Sequence, residues 1–179
     1  MEYDIFRWEG LKRDKGFIKF LCVDKRVVDF GGYSAPLSKY IPATVVDIKG
    51  PVFTLAELKW NPNVIFTSHT LEHVDDLDDT LRQFRNRMTD GGVLICHVPS
   101  WLHFSWWPHK FVPDEDSGST HKRIFGLAGD VVTHTDLEGG SLDMIVDIDT
   151  AIAKYFEILS AHHVGDDSIL VYAQKVDVD

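Results

Sequence analysis

The sequence has little cysteine, little positive charge and no long apolar run. Its 179 residues contain two Cys, and 18 Lys and Arg stand against 28 Asp and Glu, for a net charge of -10. Because Cys22 and Cys96 lie in separate apolar runs and no C-x-x-C occurs, a Cys-based zinc site is excluded and buried free thiols are favoured. The acidic balance argues against extensive nucleic-acid binding, since negative charge repels phosphates.

The sequence also lacks the signals of a secreted or membrane protein. The first ten residues carry charges where a signal peptide needs an apolar core. The longest apolar region, Val93 to Trp107, is interrupted by polar residues and is too short to span a bilayer. We therefore expect a soluble, cytoplasmic protein without a membrane span. The length suits a single domain over residues 1–179.

Short apolar runs separated by helical patterns predict an α/β fold. Buried strands are predicted over residues 26–30, 44–48, 63–68 and 93–98, with a weak strand within 51–58. Helices are predicted over residues 11–23, from Ser34 to Pro36 onward, after Asp75 or Asp76, and over 141–155.

Two further strands, over residues 156–164 and 168–176, flank the hairpin signal G-D-D. This order predicts a Rossmann-like, doubly wound, mostly parallel sheet that ends in an antiparallel β-hairpin.

The residues that follow the predicted strands are the candidates for ligand binding. In an open parallel sheet, ligands bind beyond the carboxyl ends of the strands. Gly31 and Gly32 would let backbone approach a ligand closely, and Asp47 is placed to accept hydrogen bonds from a ribose diol. A plain tight turn and a capping Asp are the alternatives. The sequence G-G-Y-S-A-P lacks the G-x-G-x-x-G fingerprint, which argues against an NAD-linked enzyme.

A second candidate is the segment H-T-L-E-H, which contains His69, Glu72 and His73. It fits the H-x-x-E-H pattern of one class of zinc peptidases. That chemistry requires both His on one helix, whereas the preceding V-I-F-T-S predicts a strand that ends at Ser68. The sequence therefore argues against a peptidase.

Four segments together resemble a class I S-adenosylmethionine-dependent methyltransferase of the small-molecule type. They read R-V-V-D-F-G-G-Y-S, V-V-D-I, N-V-I-F-T-S-H-T-L-E-H-V-D-D and M-T-D-G-G-V-L-I-C-H-V-P, and they extend from about Arg26 to Pro99. The spacing from L-E-H-V to G-G-V-L is the most specific part of the likeness.

The resemblance implies S-adenosylmethionine as cofactor and assigns residues to it. Asp29, Gly31 and Gly32, with Phe30 and Tyr33 beside them, would border its methionine part. Asp47 would hold the ribose hydroxyls, Ile48 would lie against the adenine, and Ser68 and His69 would line the pocket beneath the methyl group.

His69 is also the candidate general base, because a neutral imidazole can take the proton of an acceptor hydroxyl. A pocket wall without a proton role is the alternative, and His73 could serve backbone groups at a helix start. Some ubiquinone-pathway O-methyltransferases that the chain resembles carry acidic and His residues at this place and bind a divalent metal. Because His69 replaces an acidic residue, we expect no metal.

An aromatic insert at about residues 100–140 is the best indication of the substrate. Trp101, His103, Trp106 and Trp107 would form a lid or stacking wall over the sheet, or else a small satellite core. The basic group His121, Lys122 and Arg123 could meet an anion or cap a helix.

We therefore expect methyl transfer to O or N of a small-molecule, sugar or lipid-linked acceptor. The alternative is a non-catalytic binding or scaffold subunit, which a Tyr33 ring filling the pocket at Gly32 would favour.

Overall fold

The computed structural model describes residues 4–7, 9–33, 36–102, 121–130, 145–165 and 168–176. The strands within these ranges are β1 (Val27–Phe30), β2 (Thr44–Val46), β3 (Val64–Ser68), β4 (Val93–Pro99), β5 (Ile124–Gly126), β6 (Ile145–Asp147), β7 (Glu157–Val164) and β8 (Ser168–Gln174). The α-helices are α1 (Glu9–Cys22), α2 (Leu77–Arg87) and α3 (Ile148–Ala153). Single 3-10 turns lie at Ile5–Arg7, Leu37–Lys39 and Leu55–Glu57. No helix in these ranges combines the length and the apolar character that crossing a bilayer requires.

A six-stranded sheet in the order β2-β1-β3-β4-β8-β7 forms the centre of the fold. The first four strands pair in parallel, and β8 pairs antiparallel with both β4 and β7. The prediction of a Rossmann-like, mostly parallel sheet with a C-terminal antiparallel hairpin is confirmed. Strands β5 and β6 form a separate small parallel pair, which a bridge between Ser100 and Phe125 links to the end of β4.

Each face of the sheet carries its own hydrophobic core, because successive strand residues point to opposite faces. On one face, Leu11 and Ile18 of α1 pack against the β3 residue Phe66. On the other face, Leu81 and Phe84 of α2 belong to the core that includes strand residues such as Ile65. Burial on both faces explains why the parallel strands read as continuous apolar runs.

Helix α2 begins at the predicted cap and ends a few residues before the predicted glycine stop. The Asp76 side chain accepts a hydrogen bond from the Asp79 N–H at 2.9 Å and caps the helix. The helix ends at Arg87, four residues before Gly91, whose φ of +70° lies in the left-handed region. The predicted glycine stop therefore lies in the turn after the helix.

Three predicted elements differ in the structure. Residues 145–147, predicted as helix, form β6, which pairs with β5, and Ile148–Ala153 is the helical part of the predicted segment within the described ranges; residues 141–144 lie outside them. The weak strand within 51–58 is reduced to one bridge between Val46 and Val52, followed by a 3-10 turn. The helix predicted from Ser34 is a single 3-10 turn at Leu37–Lys39, and residues 34 and 35 lie outside the described ranges.

Candidate functional site

The strand order reverses between β1 and β3, which makes their carboxyl ends the switch point of the sheet. From β1 the chain continues to β2 on one side and then crosses to β3 on the other. Phe30 and Thr67 are paired near the ends of these strands, so the turns that follow are neighbours. Both turns begin with a left-handed residue, Gly31 at φ +80° and His69 at φ +48°. Ligands of open α/β sheets bind at such a crevice.

Gly31 packs directly against Thr70, a contact that the sequence did not indicate. The Gly31 N–H donates to the Val46 carbonyl at 2.8 Å. A Cβ on residue 31 would lie 2.1 Å from Thr70 Oγ1, so glycine is required by space as well as by its positive φ. The Thr70 hydroxyl donates to the Ser68 carbonyl at 3.1 Å. The turns after β1 and β3 are therefore in direct contact.

The buried Asp29 side chain stabilises the loop that contains Gly31 and Gly32, here called the glycine loop. Its buried Oδ2 accepts a hydrogen bond from the Leu37 N–H at 2.6 Å. Burial raises the pKa of the Asp29 carboxyl to about 7; the Leu37 hydrogen bond lowers it and the charge of Asp47 raises it. The carboxyl group thus joins β1 to the 3-10 turn that precedes β2.

Asp47 and Ile48 directly follow the carboxyl end of β2, with Asp47 half-buried and Ile48 exposed. Asp47 Oδ1 accepts from the Lys49 N–H at 2.8 Å, which fixes a turn. The Asp47 N–H donates to the Val52 carbonyl at 2.9 Å. Ile48 is 79% exposed. A carboxylate next to an exposed apolar side chain can meet both the hydroxyls of a ribose and the face of a flat ring.

Tyr33 does not fill the pocket beside Gly32. Its side chain is 56% exposed. The space above Gly32 belongs instead to the Asp29 carboxyl group. A Tyr33 ring that fills this pocket would have favoured a scaffold subunit, and the structure does not place the ring there.

Ser68 and His69 lie beside a buried histidine, His97, whose role the sequence did not indicate. The Ser68 hydroxyl and His97 Nδ1 are 2.8 Å apart. Burial lowers the pKa of His97 to about 3, which keeps its ring neutral. The His69 ring meets the His97 ring edge-on at 4.9 Å between centroids. His69 is thus held against the ends of β3 and β4.

The H-x-x-E-H residues form a cluster, but not on a helix. Residues 71–73 form a turn, and α2 begins only at Leu77. The Glu72 side chain is fully buried, and its Oε1 lies 3.6 Å from His69 Nδ1 and 3.7 Å from His73 Nε2. Burial raises the pKa of Glu72 to about 8, and the charge of Arg123 lowers it in part. This geometry is not that of the peptidase motif.

The segment 121–123 adds a third histidine to this cluster. His121 Nε2 lies 4.0 Å from Glu72 Oε1, and the His121 and His73 rings pack edge-on at 4.6 Å. Arg123 donates from Nη1 to the Leu71 carbonyl at 2.8 Å. The sequence predicted an anion-binding or helix-capping role for the basic group. Arg123 instead holds the loop after β3 in place through this hydrogen bond.

Of the four predicted substrate contacts, only Trp101 lies within the described ranges. Its side chain is buried, and its Nε1–H donates to Asp130 Oδ2 at 2.8 Å. Asp130 also lies 3.1 Å from His163 Nε2 of β7. For Trp101 these contacts favour the satellite core over an exposed wall. His103, Trp106 and Trp107 lie outside the described residues, as does most of the insert.

Comparison with known proteins identifies the family. The sequence matches the methyltransferase domain family over residues 12–127. The fold resembles an S-adenosylmethionine-dependent methyltransferase from Clostridium acetobutylicum, with a TM-score of 0.59, 12% identity, and coverage of 98% of this chain and 93% of that chain. No curated protein matches the sequence.

Two further solved structures share the fold. One is the N-methyltransferase NodS of Bradyrhizobium japonicum in complex with S-adenosyl-l-homocysteine, with a TM-score of 0.56, 10% identity, and coverage of 97% of this chain and 89% of that chain. The other is an S-adenosylmethionine-dependent methyltransferase of Mesorhizobium loti, with a TM-score of 0.54, 12% identity, and coverage of 90% and 97%.

The chain belongs to the methyltransferase domain family. The prediction of a methyltransferase enzyme is confirmed, and the solved structures of S-adenosylmethionine-dependent methyltransferases share its fold.

Proposed function

We propose that this enzyme methylates an O or N atom of a small-molecule, sugar or lipid-linked acceptor, with its cofactor at the switch point between β1 and β3. The observation that carries the proposal is the pairing of Asp47 with the exposed Ile48 directly after β2, next to the glycine loop. The net charge of -10 favours such acceptors over a nucleic acid.

The residues present fit S-adenosylmethionine. Asp47 would accept hydrogen bonds from the ribose hydroxyls and Ile48 would cover the adenine, while Gly31 and Gly32, with Phe30 and Tyr33, would border the methionine part. A Cβ at either glycine would meet Thr70 or Asp29, so this loop is close-packed and has a defined shape. When bound, the cofactor supplies a methyl group already activated on a sulfonium.

The chain's own contribution is mainly to hold the acceptor and receive its proton. Ser68 and His69 lie at the carboxyl end of β3, on the side of the crevice opposite Gly31. Because His69 is packed against His97, its ring has a fixed position from which to take the proton that the acceptor loses. His103, Trp106 and Trp107 stay the predicted contacts on the acceptor side, whereas the contacts of the buried Trp101 favour a place in the satellite core.

Methyl-labelled S-adenosylmethionine tests this proposal. The protein is incubated with it and with separate pools of hydroxylated, amino, sugar-containing and lipid-linked small molecules, or with RNA or protein, and labelled products are identified by mass spectrometry. We expect label in one chemical class of acceptor and a strong loss with His69→Asn. A matched control, His162→Asn on β7, should keep wild-type transfer. Label that appears only on added RNA or protein would contradict the small-molecule acceptor.

A further inference from the structure

Three side chains that the methyl-transfer proposal does not use converge on one point. The ligand atoms of Glu72, His73 and His121 all lie within 4.8 Å of one another. His73 Nε2 and His121 Nε2 approach the same carboxylate oxygen, Oε1, at 3.7 and 4.0 Å. In a tetrahedral site with ligands about 2.1 Å from the ion, neighbouring ligand atoms are about 3.4 Å apart. A small inward movement of the two rings would reach that spacing.

The burial of Glu72 is the second, independent observation. Its side chain is 0% exposed, and neither carboxylate oxygen accepts a hydrogen bond from another residue in the described ranges. A buried carboxyl group without such partners is costly, and a bound cation removes that cost. The cationic or imidazole groups within 4.0 Å of its Oε1 in the described ranges are the imidazoles of His69, His73 and His121, and imidazoles ligate metals when neutral.

The described surroundings hold these three groups in place, and His73 is their solvent-facing member. The Lys122 N–H donates to the Glu72 carbonyl at 2.8 Å, which fixes the neighbouring His121 against the turn. His121 is buried, whereas the His73 side chain is 37% exposed and forms the rim. An ion could therefore enter from solvent past His73.

We propose that Glu72, His73 and His121 bind a divalent transition-metal ion, with Zn²⁺ as the representative. Two imidazole nitrogens and one carboxylate oxygen suit Zn²⁺ and related ions, whereas Mg²⁺ and Ca²⁺ prefer oxygen ligands. Three protein ligands leave at least one coordination position for water or another ligand. This assignment replaces the expectation of no metal, which considered residues 69–73 without His121.

Zinc binding by untagged protein tests the proposal. After EDTA treatment and exchange into metal-free buffer, the protein is titrated with ZnCl₂ by calorimetry, and bound zinc is counted by elemental analysis. We expect one Zn²⁺ per chain. His121→Asn and His73→Asn should each weaken binding by more than about tenfold, because even changes outside the ligand set cost that much in metal sites. A large molar excess of Mg²⁺ should not displace the zinc.

His162→Asn is the matched control, since it removes a histidine of β7 and should leave zinc binding unchanged. Circular dichroism shows whether each variant is folded, and His73→Asn is the safer variant because His73 is at the rim. As a second readout, Co²⁺ should give the visible absorption of a four- or five-coordinate ion in wild type and lose it in His73→Asn. Failure of wild type to bind zinc, or equal zinc binding by all variants, would overturn the proposal. Neither outcome depends on cofactor binding or methyl transfer.

Discussion

The Asp29 carboxyl group lies where a side chain on residue 32 would have to be. A Cβ built on Gly32 would sit 2.0 Å from Asp29 Oδ2. Gly32 is not among the glycines with positive φ, so space and not backbone conformation requires glycine there. One strand residue and one loop residue, three positions apart, thus determine the shape of the loop that borders the proposed cofactor site.

Gly32→Ala should therefore destabilise the protein. The new methyl group must displace a buried carboxyl group and weaken its hydrogen bond from the Leu37 N–H. Overpacking of this kind costs about 1 to 3 kcal/mol. Urea unfolding measures the change.

Gly16→Ala in α1 is the matched control, because a Cβ there meets nothing within 4 Å. It should raise stability by roughly 0.5 to 1 kcal/mol, as alanine does in a helix interior. If both variants shift stability equally, the Asp29–Gly32 contact does not constrain the loop.

Asp29→Asn should alter the pH dependence of stability. In the folded protein the Asp29 pKa is about 7, against an ordinary 3.8. As pH rises between these values, the unfolded chain releases the proton and the folded chain retains it, so wild type loses stability. Asn keeps an acceptor for Leu37 but does not titrate.

The stability of Asp29→Asn relative to wild type should therefore increase with pH in this interval, by at most about 1.4 kcal/mol per pH unit. Urea unfolding at a series of pH values measures it. A difference that stays constant with pH would show that Asp29 ionises normally in the folded protein.

The two basic residues that follow His121 should differ in their contributions. Arg123 donates to the carbonyls of Leu71 and Asp75 at 2.8 and 3.1 Å, and such charge-assisted bonds contribute about 1.5 to 3 kcal/mol each. Because the bond to Leu71 is partly buried and the bond to Asp75 is exposed, we expect the first to dominate and Arg123→Ala to lower the free energy of unfolding by about 1.5 to 3 kcal/mol.

Lys122→Ala removes a side chain that pairs with the exposed Asp75. Exposed ion pairs contribute below about 1 kcal/mol, so this variant should remain close to wild type. The two unfolding curves are compared directly. Equal small effects would mean that Arg123 does not clamp the loop after β3.

The strands and α2 could be predicted because their signals are local. Apolar runs of β-branched residues marked the buried strands, and the spacing from Leu77 to Met88 marked one face of a helix. The prediction over residues 141–155 was wrong at Ile145–Asp147, because these residues pair with Ile124–Gly126, a distant segment. Pairing over that distance leaves no trace in local periodicity.

The candidate site could be predicted only in part, for the same reason. Asp29, Asp47 and Ser68 were found because each follows or ends a predicted strand. The contact of Ser68 with His97 depends on strand register, and that of His121 with Glu72 joins two segments that are distant in the sequence. Neither relation can be derived from spacing along the chain.

Calorimetric titration with S-adenosylhomocysteine tests the central claim most directly. Wild type and Asp47→Asn are compared with Asp24→Asn. Asp24 lies in the turn before β1, at the amino ends of the parallel strands and away from the proposed site. We predict that wild type and Asp24→Asn bind the ligand equally and that Asp47→Asn binds it at least about tenfold more weakly, a loss of about 1.4 kcal/mol. Equal affinity in all three proteins would contradict the proposed position of the ribose, and no binding by wild type would contradict a cofactor site at this edge.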